Sequence, residues 1–420
     1  MSFFIDNNPN TNSSCSHIKY VEEAPNFISR FIQLGVKNKM KVGNENFFNY
    51  KKKRAILVWC LVFFFVILLA VKFVLKLELL RFISRLYQAS GSSYFLITLV
   101  LGFLAFFVCE ITLKVVSLKT QAYGQLDSVS KFEWFGFSSI SFFIQSITPF
   151  SVGSEPYSIW WLNKKGIDLK EAGAMVAVAS CCWFVAQFLV TWPSFIYITV
   201  QNWDKVSSLD IPNVYWAILG GLFVDITVGL LIFSVSYFKT FHYLISKWVN
   251  RIKRWLALPY AGEEELAIKY LEQNAFQKIY VRQIKRFTTV KIAAFYFFCN
   301  VYLYFLFVLI HRIFNQENWD GVLAYNVINV STTANNFMPL PSAEGSLQVV
   351  MKNLLEGFGD SSAGRTDEES IFLWRFFSKY FGFILSLIFL SMYGINTNTR
   401  RRKEIRRECR SAQTSLELIF

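Results

Sequence analysis

The chain has 420 residues, 54% hydrophobic and only 17% charged, with 45 phenylalanines. An ordinary globular chain carries about 25% charge, so this one lacks the polar surface to cover its apolar residues as a soluble fold. The net charge of +14 would suggest nucleic acid in a soluble protein, but the basic residues gather between long apolar runs, as in membrane proteins, and nucleic-acid binding is not expected.

In chain order, residues 1–54 form a polar segment without the apolar core of a secretory signal peptide. It ends on Lys51, Lys52, Lys53 and Arg54, a flank that predicts a cytoplasmic N-terminus and makes the next run a signal anchor. A spanning helix needs roughly 20 mostly apolar residues. Six runs qualify: Ala55–Leu75, Tyr94–Val116, Gly173–Val200, Val214–Phe238, Lys291–Ile313 and Ile371–Tyr393. Two others, Phe132–Leu162 and Val322–Phe358, are interrupted by Pro and Gly.

Loop charge sets the expected orientation. The segment 239–290 and the tail 394–420 are rich in Lys and Arg and are predicted to be cytoplasmic, whereas the acidic stretch Glu356–Glu369 belongs outside. Parity then requires each interrupted run to return to the face it entered from, as a re-entrant helical hairpin. The expected fold is an all-α polytopic membrane protein with about six spanning helices and two re-entrant helical hairpins. Segments 55–200 and 214–393 form an inverted repeat, the second carrying the insert 239–290. Within it, Tyr260–Arg286 is read as an amphipathic helix, lying on the membrane or packed against the bundle. Inverted repeats with broken helices are a transporter pattern. The two breaks share a spacing: Gly153-Ser154 follows Pro149 as Gly345-Ser346 follows Pro341.

Ionisable groups at membrane depth are costly, at about 2.5–3.5 kcal/mol on insertion scales. They are Glu110, Lys114, Glu155, Asp225, Glu344, Arg375 and Lys379. Glu110 and Lys114 are four apart and can pair on a helix, and Lys114, near the cytoplasmic end, can snorkel. Glu155 lies between Gly153-Ser154 and Pro156, where a new helix can start, because Pro suits the first turn. The freed backbone N–H groups there can hold a phosphate or carboxylate. Arg375 and Lys379, one turn apart, either line a polar cavity, where they can bind a lipid phosphate or neutralise Glu344, or snorkel. Asp225, flanked by Gly220-Gly221 and Gly229, either serves a proton relay or bonds a neighbouring helix. Trp160-Trp161 is read as part of an interfacial belt. The seven cysteines and three histidines show no metal-ligand or disulfide spacing, so neither metal nor cofactor is expected.

The run from Thr148-Pro149 through Gly153-Ser154-Glu155-Pro156 to Leu162, followed by Lys164-Lys165-Gly166, resembles a motif of the lysylphosphatidylglycerol synthase/flippase transmembrane family. Pro339-Leu340-Pro341 with Glu344-Gly345 resembles its second motif, and Trp374-Arg375 the aromatic-Arg pair of its last helix. Departures occur at Phe150-Ser151, Ser342-Ala343, Ser158 and Gln348, where the family carries paired glycines, Arg and Glu. The resemblance implies transfer of a phospholipid or glycolipid between leaflets of a bacterial cell membrane, without the aminoacyl-transferase domain of longer members. The partners expected are membrane lipids with an anionic phospholipid or glycolipid headgroup, and a homodimer is an open option. The translocation residues are then Pro149, Gly153, Ser154, Glu155, Pro156, Pro341, Glu344, Gly345, Arg375 and Lys379. Two other functions stay open: a proton-coupled transporter of a small solute, and a non-transporting accessory subunit of an envelope lipid enzyme.

Overall fold

The computed structural model describes residues 78–148, 153–204, 214–256, 262–315, 320–336, 343–358 and 366–390, with isolated positions between 61 and 75. The N-terminal segment, most of the run Ala55–Leu75, the basic tail, Pro149 and Pro341 lie outside them. Two units divide the chain. One is Met1–Leu57 with Val249–Ala261, of which residues 249–256 are described; the other, Val58–Trp248 with Gly262–Phe420, is the membrane body.

The described residues begin with a short helix, α1 (Leu79–Ala89). Five later helices are long and apolar enough to cross a membrane: α2 (Ser93–Lys119), α5 (Leu169–Gln201), α6 (Val214–Tyr237), α9 (Phe287–Phe314) and α12 (Glu368–Leu390). They correspond to five of the six expected spans. Side-chain caps fix several helix starts: Ser92 accepts from the Phe95 N–H ahead of α2, and Asp168 from the Lys170 N–H ahead of α5. Each cap satisfies a backbone donor that the helix itself leaves open.

Both interrupted runs resolve into two shorter helices. The first becomes α3 (Lys131–Ile147) and α4 (Ser154–Lys164), the second α10 (Gly321–Ala334) and α11 (Ser346–Phe358). At about 1.5 Å per residue, even a 17-residue helix falls short of a hydrocarbon core of roughly 30 Å. The members of each pair pack against each other. The shared spacing of the two motifs has a structural counterpart, because α4 starts at the Ser after Gly153 and α11 at the Ser after Gly345. The two glycines differ in conformation: Gly153 is right-handed helical and Gly345 has φ +85°.

The long helix α5 is the hub of the body, packing against α4, α6, α9 and α10. Helices α2 and α12 cross closely, and each contains a π-helical turn, Phe106–Thr112 and Phe376–Tyr380 respectively. A Cβ at Gly102 would come within 2.5 Å of the Phe377 ring, and one at Gly382 within 2.6 Å of Phe106. Glu110 sits in the first π turn, and no ion pair joins it to Lys114 among the described residues. That pairing fails because an i→i+5 turn does not keep the α-helical register of positions four apart.

Two further expectations change. The segment read as amphipathic is α8 (Glu263–Ile284), which takes the second of its two expected placements, packed against the bundle along α5 and α6 with Tyr280 fully buried, but has no single apolar face. Within the insert 239–290 the strongly amphipathic helix is instead α7 (Lys239–Trp255). Trp161 is not part of a belt: it is buried, stacked on Phe137 at 4.3 Å and close to Trp134 at 5.0 Å.

Candidate functional site

The second break builds the most heavily buried charge pair of the described residues. Ala343 (φ +55°) and Gly345 (φ +85°) place a left-handed turn on either side of Glu344. For an alanine that conformation costs on the order of 1 kcal/mol. Glu344 is 1% exposed. One turn into α11, Gln348 accepts from the Gly345 N–H at 2.7 Å and donates to Glu344 Oε2. From α12, Arg375 Nη2 donates to Glu344 Oε1, and the Tyr380 hydroxyl donates to Oε2 at 2.8 Å. Arg375 is itself 2% exposed. Burying either charge alone would cost several kcal/mol, so the pair and its neutral donors stand or fall together.

Lys379 extends this cluster. It lies one turn beyond Arg375 with Nζ 5.4 Å from the centre of the Phe142 ring of α3, and it interacts electrostatically with Glu110, Arg375 and Glu344. The last span therefore carries two cations, one bonded at the second break and the other touching the first helix pair.

The first break is tied by Thr148, whose hydroxyl donates to the Ile144 carbonyl at 2.8 Å and accepts from the Gly153 N–H at 3.2 Å. A Cβ on Gly153 would lie 2.5 Å from Thr148 Cγ2, so a larger residue would displace this tie. Ser154 donates to Glu155 Oε1 at 3.0 Å, while Glu155 Oε2 is buried without a hydrogen-bond partner. Pro156 occupies the first turn of α4 as expected and is exposed. Gly153, Ser154, Glu155 and Pro156 share no hydrogen bond or ion pair with the Glu344 cluster. At the foot of this pair, outside the five spans, Ser130 and Glu133 form a capping box, and Lys165 bonds Glu133 at 2.8 Å. The Lys165 hydrogen bond holds the Glu133 carboxyl below its usual range.

Asp225 stands apart from both. Its carboxylate accepts from Asn336 Nδ2 at 2.9 Å, just beyond the end of α10. Beside it, Gly221 lets α6 approach so closely that a Cβ would lie 2.4 Å from the Ala334 carbonyl oxygen. Of the two readings for Asp225, bonding to a neighbouring helix is the one this geometry supports.

A buried network of uncharged groups was missed in the sequence. The Gln187 amide of α5 reaches Tyr304 at 2.7 Å, Thr191 at 3.1 Å and Thr333, and accepts from Asn300 at 3.1 Å. It joins α5, α9 and α10 beside the hub. A tally of charged residues overlooks it, although amides inside apolar spans are themselves a signal of interhelical bonding.

Two short helix pairs, each broken just before a Gly-Ser step, together with Trp374-Arg375 on the last span, are the features that carry the family motifs. The family described as lysylphosphatidylglycerol synthase TM region matches residues 55–386. The chain belongs to this family. The match covers the family's membrane region alone, so this lysylphosphatidylglycerol synthase-type chain is an integral membrane protein. It is similar to an uncharacterized protein of Mycoplasma pneumoniae (MG306 homolog), 32% identical over 274 residues, covering 61% of this chain and 68% of the relative. A Mycoplasma genitalium protein, uncharacterized protein MG306, is 30% identical over 263 residues, covering 60% and 67%. No solved structure matches the chain.

Proposed function

We propose that this protein moves a lipid with an anionic headgroup between the leaflets of a bacterial cell membrane, with both termini in the cytoplasm. The observation that carries the reading is the buried Glu344–Arg375 pair at a helix break, with Lys379 one turn away. Charges at membrane depth are expensive and mark pathways. Helices broken within the bilayer are where transporters bind their cargo. In this reading α3–α4 and α10–α11 are re-entrant hairpins of an inverted repeat. A lipid phosphate joins Glu344 beside Arg375 and Lys379, so that two anions face two cations and neither partner of the buried pair is stranded. The unbonded Glu155 oxygen offers an acceptor for a headgroup hydroxyl or amine.

The test is reconstitution of the full chain into liposomes containing fluorescent phosphatidylglycerol, phosphatidylethanolamine or a glycolipid, with a membrane-impermeant quencher reporting leaflet exchange. Faster exchange of an anionic lipid than in empty liposomes, slowed by Lys379→Gln, supports the reading. Exchange at the empty-liposome rate for every headgroup sinks it.

A further inference from the structure

Helix α7 joins an exposed apolar stripe to five Lys and Arg side chains on 17 residues. It begins two residues after the span α6 ends at Tyr237. Its apolar residues recur at the three- and four-residue spacing of one helical face: Phe241, Leu244, Trp248, Ile252 and Trp255. All five are exposed, Trp248 to 67% and Trp255 to 83%. The helix contains no Asp or Glu. Its basic residues Lys239, Lys247, Arg251, Lys253 and Arg254 fall, at about 100° per residue, on the flank and the side away from the apolar stripe.

The end of α6, from which the chain passes into α7, is held by α8. Gln273 donates to the Val235 carbonyl at 3.4 Å and Gln277 to the Tyr237 carbonyl, occupying acceptors that the end of α6 leaves open. A cavity of about 560 Å³ opens at this elbow, walled by Tyr237, Phe238, Lys239, Phe241, Leu244 and Gln277. The elbow thus sits at the end of a membrane span, where water gives way to headgroups, and the exposed Trp and Tyr side chains suit that boundary.

We infer that α7 is an interfacial helix that binds an anionic lipid surface. Its Phe241–Trp248–Trp255 face is sunk among the acyl chains, and its lysines and arginines lie among the headgroup phosphates. The pattern has two independent parts. An apolar stripe alone would suit any partner, but five cations without one carboxylate match a negatively charged surface. The start of the helix at the end of a span puts that surface within its reach. The cavity at the elbow then receives the glycerol end of one such lipid beside Lys239. The inference is independent of whether the protein moves lipid.

It is tested with the full chain, native cysteines replaced and single cysteines introduced as Leu244→Cys, Trp248→Cys or Lys247→Cys, spin-labelled and reconstituted into vesicles of phosphatidylglycerol with phosphatidylcholine. The expected result is an oxygen-over-nickel accessibility ratio at 244 and 248 at least about threefold that at 247, a contrast reduced by about half in vesicles of phosphatidylcholine alone. Equal, water-like accessibility at all three sites would overturn it. So would labels at 244 and 248 that are immobilised and shielded from both reagents, which signals a protein partner or a second copy. A contrast that does not depend on phosphatidylglycerol would overturn the anionic part of the claim. All three positions are exposed or part-exposed side chains, so the substitutions leave the core untouched.

Discussion

Arg375 and Glu344 meet across 31 positions of sequence with both side chains almost wholly buried. Removing one member strands the other. Glu344→Ala is expected to cost about 3–5 kcal/mol, because it leaves a buried guanidinium without its counter-charge. The double replacement Glu344→Gln with Arg375→Met is expected to be less damaging than Glu344→Ala alone. Thermal unfolding of the detergent-solubilised protein checks both, and a loss in the double variant as large as the summed losses of Glu344→Gln and Arg375→Met alone would mean that the pair is not coupled.

Gly221 and Gly220 are adjacent in α6 but differ in surroundings. A side chain at 221 would run into the backbone of Ala334, which cannot swing aside, whereas nothing lies within 4 Å of a Cβ at 220. Gly221→Ala is therefore expected to destabilise by about 1–3 kcal/mol through overpacking. Gly220→Ala should be neutral or slightly stabilising, since Ala is the better helix former. Melting temperatures of the two variants side by side decide the point.

Gln187 is the common partner of four side chains on three helices. Gln187→Leu keeps the volume roughly but leaves Asn300 and Tyr304 short of partners, at an expected cost of about 1–2 kcal/mol. Gln187→Glu should be worse, because it adds a charge without a cation at hydrogen-bond distance. Hydrogen exchange at α10 should rise in both variants, and unchanged protection would show that the network does not hold that helix.

Glu133 and Lys165 predict a pH effect of defined sign. The folded-state pKa of Glu133 is lowered, so the stabilisation is present above its unfolded pKa of about 4.3 and fades as pH falls through the lower folded value. The pair is partly exposed, so its contribution is small, at most about 1 kcal/mol. Lys165→Met should lower the melting temperature slightly at neutral pH, and the gap from the natural chain should close as the pH is brought below about 4. A gap that is constant across the titration would assign the effect of Lys165 instead to its position over the Trp161 ring, with Nζ 5.7 Å from the ring centre.

Much of this could be read from residues alone, for an identifiable reason. A run of roughly 20 apolar residues can satisfy its backbone only as a helix in a membrane, so five of the expected spans recur as α2, α5, α6, α9 and α12. Pro and Gly interrupt helices locally, so the breaks before Ser154 and Ser346 were legible too. The stripe of α7 was there to be read, at Phe241, Leu244, Trp248 and Ile252. Composition does not separate it from α8, whose apolar residues serve two neighbouring helices and do not form one face.

What the chain alone determined was its solvent, its helices and the places where two of them break, because these depend on the transfer of short segments and on local backbone sterics. The tertiary structure alone decided that Glu344 answers Arg375, that Asp225 answers Asn336, and that Gln187 ties three helices together. A polar group in an apolar span must find a partner, but the energy of an unmet hydrogen bond does not say which helix will supply it. That choice follows from close approaches such as Gly221 against Ala334, where the absence of one side chain brings two backbones within reach.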